Sequence, residues 1–132
     1  MKIVKKIKTA IIGLGKISWA YEKDPLVSKS DNFPTHFRVL SKYPNFYLAA
    51  AQDKSAEARD SFAHYAKSFG MNVSVYENWE AMIKTEKPDL LVVASNTQSH
   101  YKICSRAINL GVRNILCEKP ISFSLKEAKN LV

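Results

Sequence analysis

Ile11-Ile12-Gly13-Leu14-Gly15-Lys16-Ile17-Ser18 is the stretch on which the reading turns. An apolar run stops at a glycine, and a second glycine follows two positions later. A buried parallel strand that turns sharply into a helix has this form. Gly13 can take a turn forbidden to residues with a Cβ, and Gly15 lets a ligand approach the backbone closely. A helix over residues 15–21 would open with free N–H groups and a partial positive charge, which together suit a diphosphate. The third small position of the dinucleotide-binding fingerprint is Ser18 rather than Gly, so the motif is incomplete, although serine still lets helix and strand pack closely. By itself the motif does not separate a ligand-binding turn from a glycine-bearing strand–helix turn without a ligand.

Working outward, residues 8–12 form the strand that feeds this turn. Residues 22–32 are polar and read as loop. A helical period resumes over residues 33–43, with Phe37, Leu40, His36 and Tyr43 on one side, and Pro44-Asn45 stops it. Residues 46–52 form a second strand, which ends at Asp53. Ser55 caps a helix whose inner face carries Ala58, Phe62, Ala66 and Phe69 and which Gly70 closes. Residues 73–76 form a short third strand. Trp79, Met82 and Ile83 mark a small amphipathic helix that ends before Pro88. Leu90-Leu91-Val92-Val93-Ala94 is a continuous apolar run, as expected of a central parallel strand covered on both faces. The polar loop 95–100 follows, then a helix burying Ile103, Cys104, Ala107 and Ile108, with Gly111 as its stop. Residues 114–117 form the fifth strand, and Ser124-Leu125-Lys126-Glu127 is a capping box that opens a last helix. Strands alternating with helices predict an α/β fold: a doubly wound parallel sheet of Rossmann type between two helical layers. Ligands bind such sheets at the carboxyl ends of the strands. Residues 13–18, Asp53, residues 95–100 and Glu118-Lys119 all fall there.

The 132 residues amount to about one domain, and 46% apolar content is enough for a real core. The formal net charge of +8 raises the question of an anionic partner. The lysines are dispersed over loops and helix faces, with no arginine-rich cluster or aromatic stripe, so they read as solvating charge and no nucleic-acid partner is expected. No run approaches the roughly 18 apolar residues of a membrane span. The basic lead-in over residues 1–8 has neither the core nor the cleavage-like site of a signal peptide. Cys104 and Cys117 sit inside apolar patterns and read as small core residues, not as a disulfide or metal pair. No metal site is expected, and a reducing cytoplasm fits.

Four groups can carry chemistry. Asp53 can accept hydrogen bonds from both hydroxyls of an adenosine ribose and would repel a 2′-phosphate. It can equally start a surface turn with Lys54-Ser55. Its separation from Gly15 exceeds the usual roughly 20 residues, which the inserted polar stretch explains. Lys54 complicates the choice, since its charge can offset the repulsion and admit a phosphorylated cofactor. Ser95, Asn96 and Thr97 can bond a ribose or a diphosphate, and Asn96 or Thr97 can also cap the next helix. His100 lies in the first turn of that helix, where packing beneath the nucleotide loop is the simpler role. His36 and His64 have no visible partner and read as surface or packing residues. Glu118-Lys119-Pro120 places a charged pair directly after an apolar strand, an arrangement seldom buried without purpose. Lys119 can bind a sugar hydroxyl or lend charge to a proton transfer, and Pro120 restricts the backbone beside it.

With these blocks in place the sequence resembles the N-terminal domain of the Gfo/Idh/MocA oxidoreductases, which include glucose–fructose oxidoreductase and inositol 2-dehydrogenase. The resemblance covers nearly the whole chain. Residues 90–100 and 114–121 carry it more specifically than the glycines do. Ser95-Asn96-Thr97 stands where many members have a Thr-Pro-Asn-like run, and Ser18 where they have Gly or Ala. The resemblance implies a nicotinamide cofactor, NAD(H) by preference with NADP(H) possible, and hydride transfer to or from a sugar, sugar nucleotide or cyclitol carbon. It implies cofactor contacts along Gly13, Leu14, Gly15, Lys16 and Ile17, and at Asp53, Lys54, Ser95, Asn96, Thr97, His100 and Pro120. It places Glu118 on the nicotinamide ribose and Lys119 as the catalytic residue at nicotinamide and substrate. In the family a second α/β domain supplies most of the substrate pocket, an acid/base histidine and the dimer surface. Residues 1–132 therefore read as the cofactor domain alone, inactive by itself, with homo-oligomers expected only when the second domain is attached. The alternatives are a dinucleotide sensor without turnover, which the position of Lys119 disfavours, and a basic partner-binding protein.

Overall fold

The apolar runs condense into one sheet. The computed structural model describes residues 3–29 and 31–132, so the reading of Met1 and Lys2 as lead-in and of Ser30 as loop lies outside the described residues. The strands are β1 (Ile7–Ile12), β2 (Phe46–Gln52), β3 (Ser74–Tyr76), β4 (Leu90–Val93) and β5 (Ile115–Cys117). They lie in the order β3-β2-β1-β4-β5, every pair parallel. The order reverses between β1 and β4, which is where a doubly wound sheet opens a crevice.

Helices α1 (Pro25–Ser28), α2 (His36–Lys42), α3 (Ala56–Ser68), α4 (Trp79–Glu86), α5 (Thr97–Asn109) and α6 (Leu125–Leu131) complete the chain, with a 3-10 turn at Ala20–Lys23. Side chains alternate across a strand, so β1 sends Ile11 to one face, with Phe37, Leu40 and Phe62 of α2 and α3. It sends Ala10 and Ile12 to the other, with Met82, Ile83, Ile103 and Ala107 of α4 and α5. Residues 46–52 do not alternate simply. Thr9 pairs with Leu48 but Ala10 with Ala50, leaving Ala49 as an extra residue. Leu48 and Ala50 therefore face opposite sides despite their spacing, as a β-bulge requires.

Several expectations are corrected. The segment after Gly15 is not a regular helix over residues 15–21. Ala20 and Tyr21 donate five residues back, to Gly15 O and Lys16 O, where the 3-10 turn begins. The polar stretch 22–32 is not plain loop, because Asp24 caps α1 through the Leu26 N–H. Arg38 gathers it: its guanidinium donates to the carbonyls of Val27, Ser28 and Asn32 and pairs with the Glu22 carboxylate. Thr35 Oγ1 donates to Glu22 Oε1 at 2.7 Å and accepts from Arg38 N at 3.1 Å. Trp19, Phe37, Phe62, Tyr65 and Phe69 form an aromatic cluster beside this pair, from which Tyr65 OH donates to Glu22 Oε2 at 3.4 Å. Ile108 and Tyr43, read as inward, are both half exposed, as is Phe69. Ser124 caps α6 through Glu127 N, but the Glu127 carboxylate accepts from Ser122 Oγ rather than returning to Ser124 N. Among the described residues no helix is long and apolar enough to cross a membrane.

Candidate cofactor site

The turn after β1 is tied down from inside. Gly13 has φ +90°, and a Cβ there would lie 2.7 Å from Ala94 O and Ser95 N. Only glycine lets the end of β1 press against the end of β4. Ser18, fully buried, donates from Oγ to Gly13 O, so the serine that breaks the fingerprint closes the turn. Trp19 Nε1 donates to Leu14 O at 3.1 Å, and Leu14 N donates to Asp53 Oδ2 at 2.9 Å. Among the described residues the amides of Gly15, Lys16, Ile17 and Ser18 have no acceptor. Successive unpaired N–H groups in a turn form an anion-binding concavity. A Cβ on Gly15 would meet nothing within 4 Å, so that backbone borders open space.

That space is a cavity of about 570 Å³, within the range of small-molecule sites. Gly13, Gly15, Asp53, Lys54, Ser95 and Asn96 line it, all singled out from sequence. Gln98 and Ser99, within the polar loop 95–100, line it as well, and so do Trp79 and Lys102, which the sequence reading missed. Trp79 carried only a helical-period signal, and Lys102 sits one turn beyond the polar loop. Asp53 starts the surface turn read from the sequence and also holds the glycine turn. Oδ1 accepts from Ser55 N at 2.9 Å and starts the surface turn, while Oδ2 holds the glycine turn. A carboxylate has about four lone-pair sites, so two stay available toward the cavity. Arg59 donates to the carbonyls of Asp53 and Lys54 and steadies the same corner.

Asn96 is the cap of α5, accepting from Ser99 N at 3.1 Å, and Ser99 Oγ bonds Ser95 Oγ at 2.7 Å. Thr97 is half-buried and outside the cavity lining. Leu14 is buried, whereas Lys16 and Ile17 are exposed, and all three stand outside the cavity lining. His100 is 1% exposed. Its Nδ1 lies 3.0 Å from Pro120 O and its Nε2 3.0 Å from Ser95 O, so it clasps the loop after β4 to the turn after β5.

Glu118, Lys119 and Pro120 stand outside the cavity lining, at the carboxyl end of β5 beyond β4. Glu118 N donates to Val93 O at 2.9 Å, and the Lys119 and Pro120 side chains are exposed. His36, which showed no partner in the sequence and read as a surface or packing residue, has one in the fold. Its Nε2 lies 2.7 Å from Glu118 Oε1. Nothing local in the sequence signals this, because the contact depends on how the inserted segment returns to the sheet. Cys104 is buried, Cys117 half-buried, and both are free; among the described residues no His, Cys, Asp and Glu cluster could hold a metal. Burial is the main reason the Cys117 thiol is pushed up to about 12.

These residues fit a dinucleotide: an anion-binding turn with open space at Gly15, a carboxylate on one side and a polar strand end on the other. The comparisons agree. The chain is 30% identical over 126 residues to an uncharacterised oxidoreductase of Schizosaccharomyces pombe, covering 95% of this chain and 29% of that protein. It is 32% identical over 66 residues to the D-glucoside 3-dehydrogenase of Escherichia coli, covering 50% of this chain and 18% of that one. Among solved structures, myo-inositol 2-dehydrogenase from Lactobacillus plantarum superposes with a TM-score of 0.70 at 27% identity, over 96% of this chain and 32% of that one. The chain thus spans about three tenths of the length of the yeast relative. The Gfo/Idh/MocA model, described as the oxidoreductase family with an NAD-binding Rossmann fold, matches residues 7–132, and the chain belongs to that family.

Proposed function

We propose that this chain is the cofactor-binding domain of a dehydrogenase that moves a hydride between NAD(H) and a CH–OH carbon of a sugar, sugar nucleotide or cyclitol. The supporting observation is the row of amides at residues 15–17 without an acceptor among the described residues, with open space at Gly15, Asp53 toward β2 and Glu118-Lys119 beyond β4. A diphosphate on that row leaves one nucleoside on each side of the switch point. Asp53 then holds the adenosine ribose, and Glu118 the ribose of the nicotinamide. Bound nicotinamide supplies the hydride acceptor or donor. Lys119, exposed at the strand end, would orient the substrate hydroxyl and stabilise charge as its proton leaves. The names of the inositol and glucoside dehydrogenases support a polyol-type substrate.

Gly15→Val tests the placement. A Cβ at Gly15 strikes no protein atom, so the variant is expected to keep its circular dichroism spectrum while NADH binding is lost. A folded variant that binds NADH as the parent does would move the diphosphate elsewhere.

A further inference from the structure

We infer that His36 is a positioning residue for the second nucleoside half of the crevice: it holds the Glu118 carboxylate where a ribose can be gripped. This rests on the function proposed above. The path runs through three elements. The first amides of α2 dock on the diphosphate turn, His36 N donating to Ile17 O at 3.1 Å and Phe37 N to Ser18 O at 2.8 Å. The imidazole anchored there reaches over the end of β4, and its Nε2 meets Glu118 Oε1 at 2.7 Å. Thus one residue joins the turn after β1 to the turn after β5.

The side chains of His36 and Glu118 are 16% and 23% exposed. That is enough shielding to strengthen a polar contact and enough opening for a ligand to reach it. Glu118 keeps capacity for a ligand. Among the described residues, apart from His36 it accepts only a long 3.3 Å bond from Lys119 N, and a carboxylate offers about four acceptor positions. A flexible carboxylate must be ordered before it can grip a sugar, which weakens binding. His36 restricts Glu118 before any ligand arrives. Arg38, two residues on, fixes the start of α2 through Glu22 and the carbonyls of the insertion, so the imidazole stands on a rigid base.

The test compares two ligands by calorimetry: NADH, which has the second ribose, and ADP, which does not. His36→Ala should weaken NADH about five- to tenfold and leave ADP within about twofold. His36→Gln, whose amide can donate from near the position of Nε2, should restore most of the loss. If His36→Ala unfolds, His36→Phe keeps the ring volume without the donor and serves the same comparison. Unchanged NADH affinity in a variant of a parent that binds NADH would overturn the role of His36. Equal losses for NADH and ADP would also overturn it, by making His36 a residue that merely holds the fold. A parent that binds neither ligand would instead remove the reading of the crevice on which the inference stands.

Discussion

Gly13 and Gly15 lack side chains for opposite reasons. At Gly13 a Cβ would collide with backbone, and φ is +90°; at Gly15 it would enter open space. Gly13→Ala is therefore expected to lower stability by about 2–4 kcal/mol, measured by denaturant unfolding. A cost near zero would mean the turn relaxes freely. The two glycines were legible in the sequence because their constraints are local. The double duty of Asp53 was only half legible. Its surface turn with Ser55 is local, but its bond to Leu14 joins residues brought together by the β1–β2 pairing. His36 was not legible, since its partner lies on the far side of β4. Cys104 read correctly as a core residue, and Cys117 is half-buried against the same core. Burial raises the Cys104 thiol, and Cys117 is pushed up to about 12, so both stay protonated near pH 8. Thiolate is the reactive form, and a thiol reagent at that pH should label them slowly in folded protein and quickly in denaturant.

The elements that departed from expectation are those set by long-range contacts. An alternating strand pattern does not announce a bulge, yet the extra Ala49 is what turns Gln52 toward Glu77 O, which its Nε2 reaches at 2.7 Å. The inserted stretch looked like loop because its own residues are polar. Its order comes from Arg38, inside the next helix, whose carbonyl and carboxylate partners lie upstream. Arg38→Met strands the buried Glu22 carboxylate and should cost about 3–5 kcal/mol in unfolding free energy. Adding Glu22→Gln should recover part of that loss, and strict additivity of the two would contradict a coupled pair. At the opposite end of the sheet, Glu86 accepts from Tyr76 OH at 2.7 Å and lies 3.0 Å from Lys8 Nζ. Burial pushes the Glu86 carboxyl up, but the hydrogen bonds and charge of these partners outweigh it and leave it below its ordinary 4.5. A lowered carboxyl adds stability above its unfolded value, and the gain is lost as pH falls through the folded one. Glu86→Gln should therefore flatten the stability profile below about pH 4.5 and lower stability at neutral pH.

For the whole molecule, the doubly wound sheet followed from the alternation of strands and helices, and it places the glycine turn, Asp53, the loop after β4 and Glu118-Lys119 at the carboxyl ends of the strands. The net charge of +8 adds a general attraction for anions but does not choose among dinucleotides. On the function proposed above the choice would fall to Asp53, whose charge would oppose a 2′-phosphate by roughly 1–3 kcal/mol at a partly exposed site. Turnover asks for more than binding. Holding a substrate against nicotinamide contributes about 7–11 kcal/mol, and we propose that the facing wall belongs to the part of a longer protein that this chain, about three tenths of the yeast relative's length, does not span. The 132-residue chain is accordingly expected to show negligible NAD reduction with sugars and cyclitols, and Lys119→Ala to leave its NADH affinity nearly unchanged. Robust NAD reduction by this chain would show that the domain is catalytically complete. The most direct test of the account is calorimetry of this chain with NAD, NADH, NADP and NADPH at moderate ionic strength. The account predicts one site per chain, with NADH bound about one to two decades more tightly than NADPH. Binding of none of the four would contradict the cofactor site, and tighter binding of NADPH would contradict the role given to Asp53 and move the selection to Lys54.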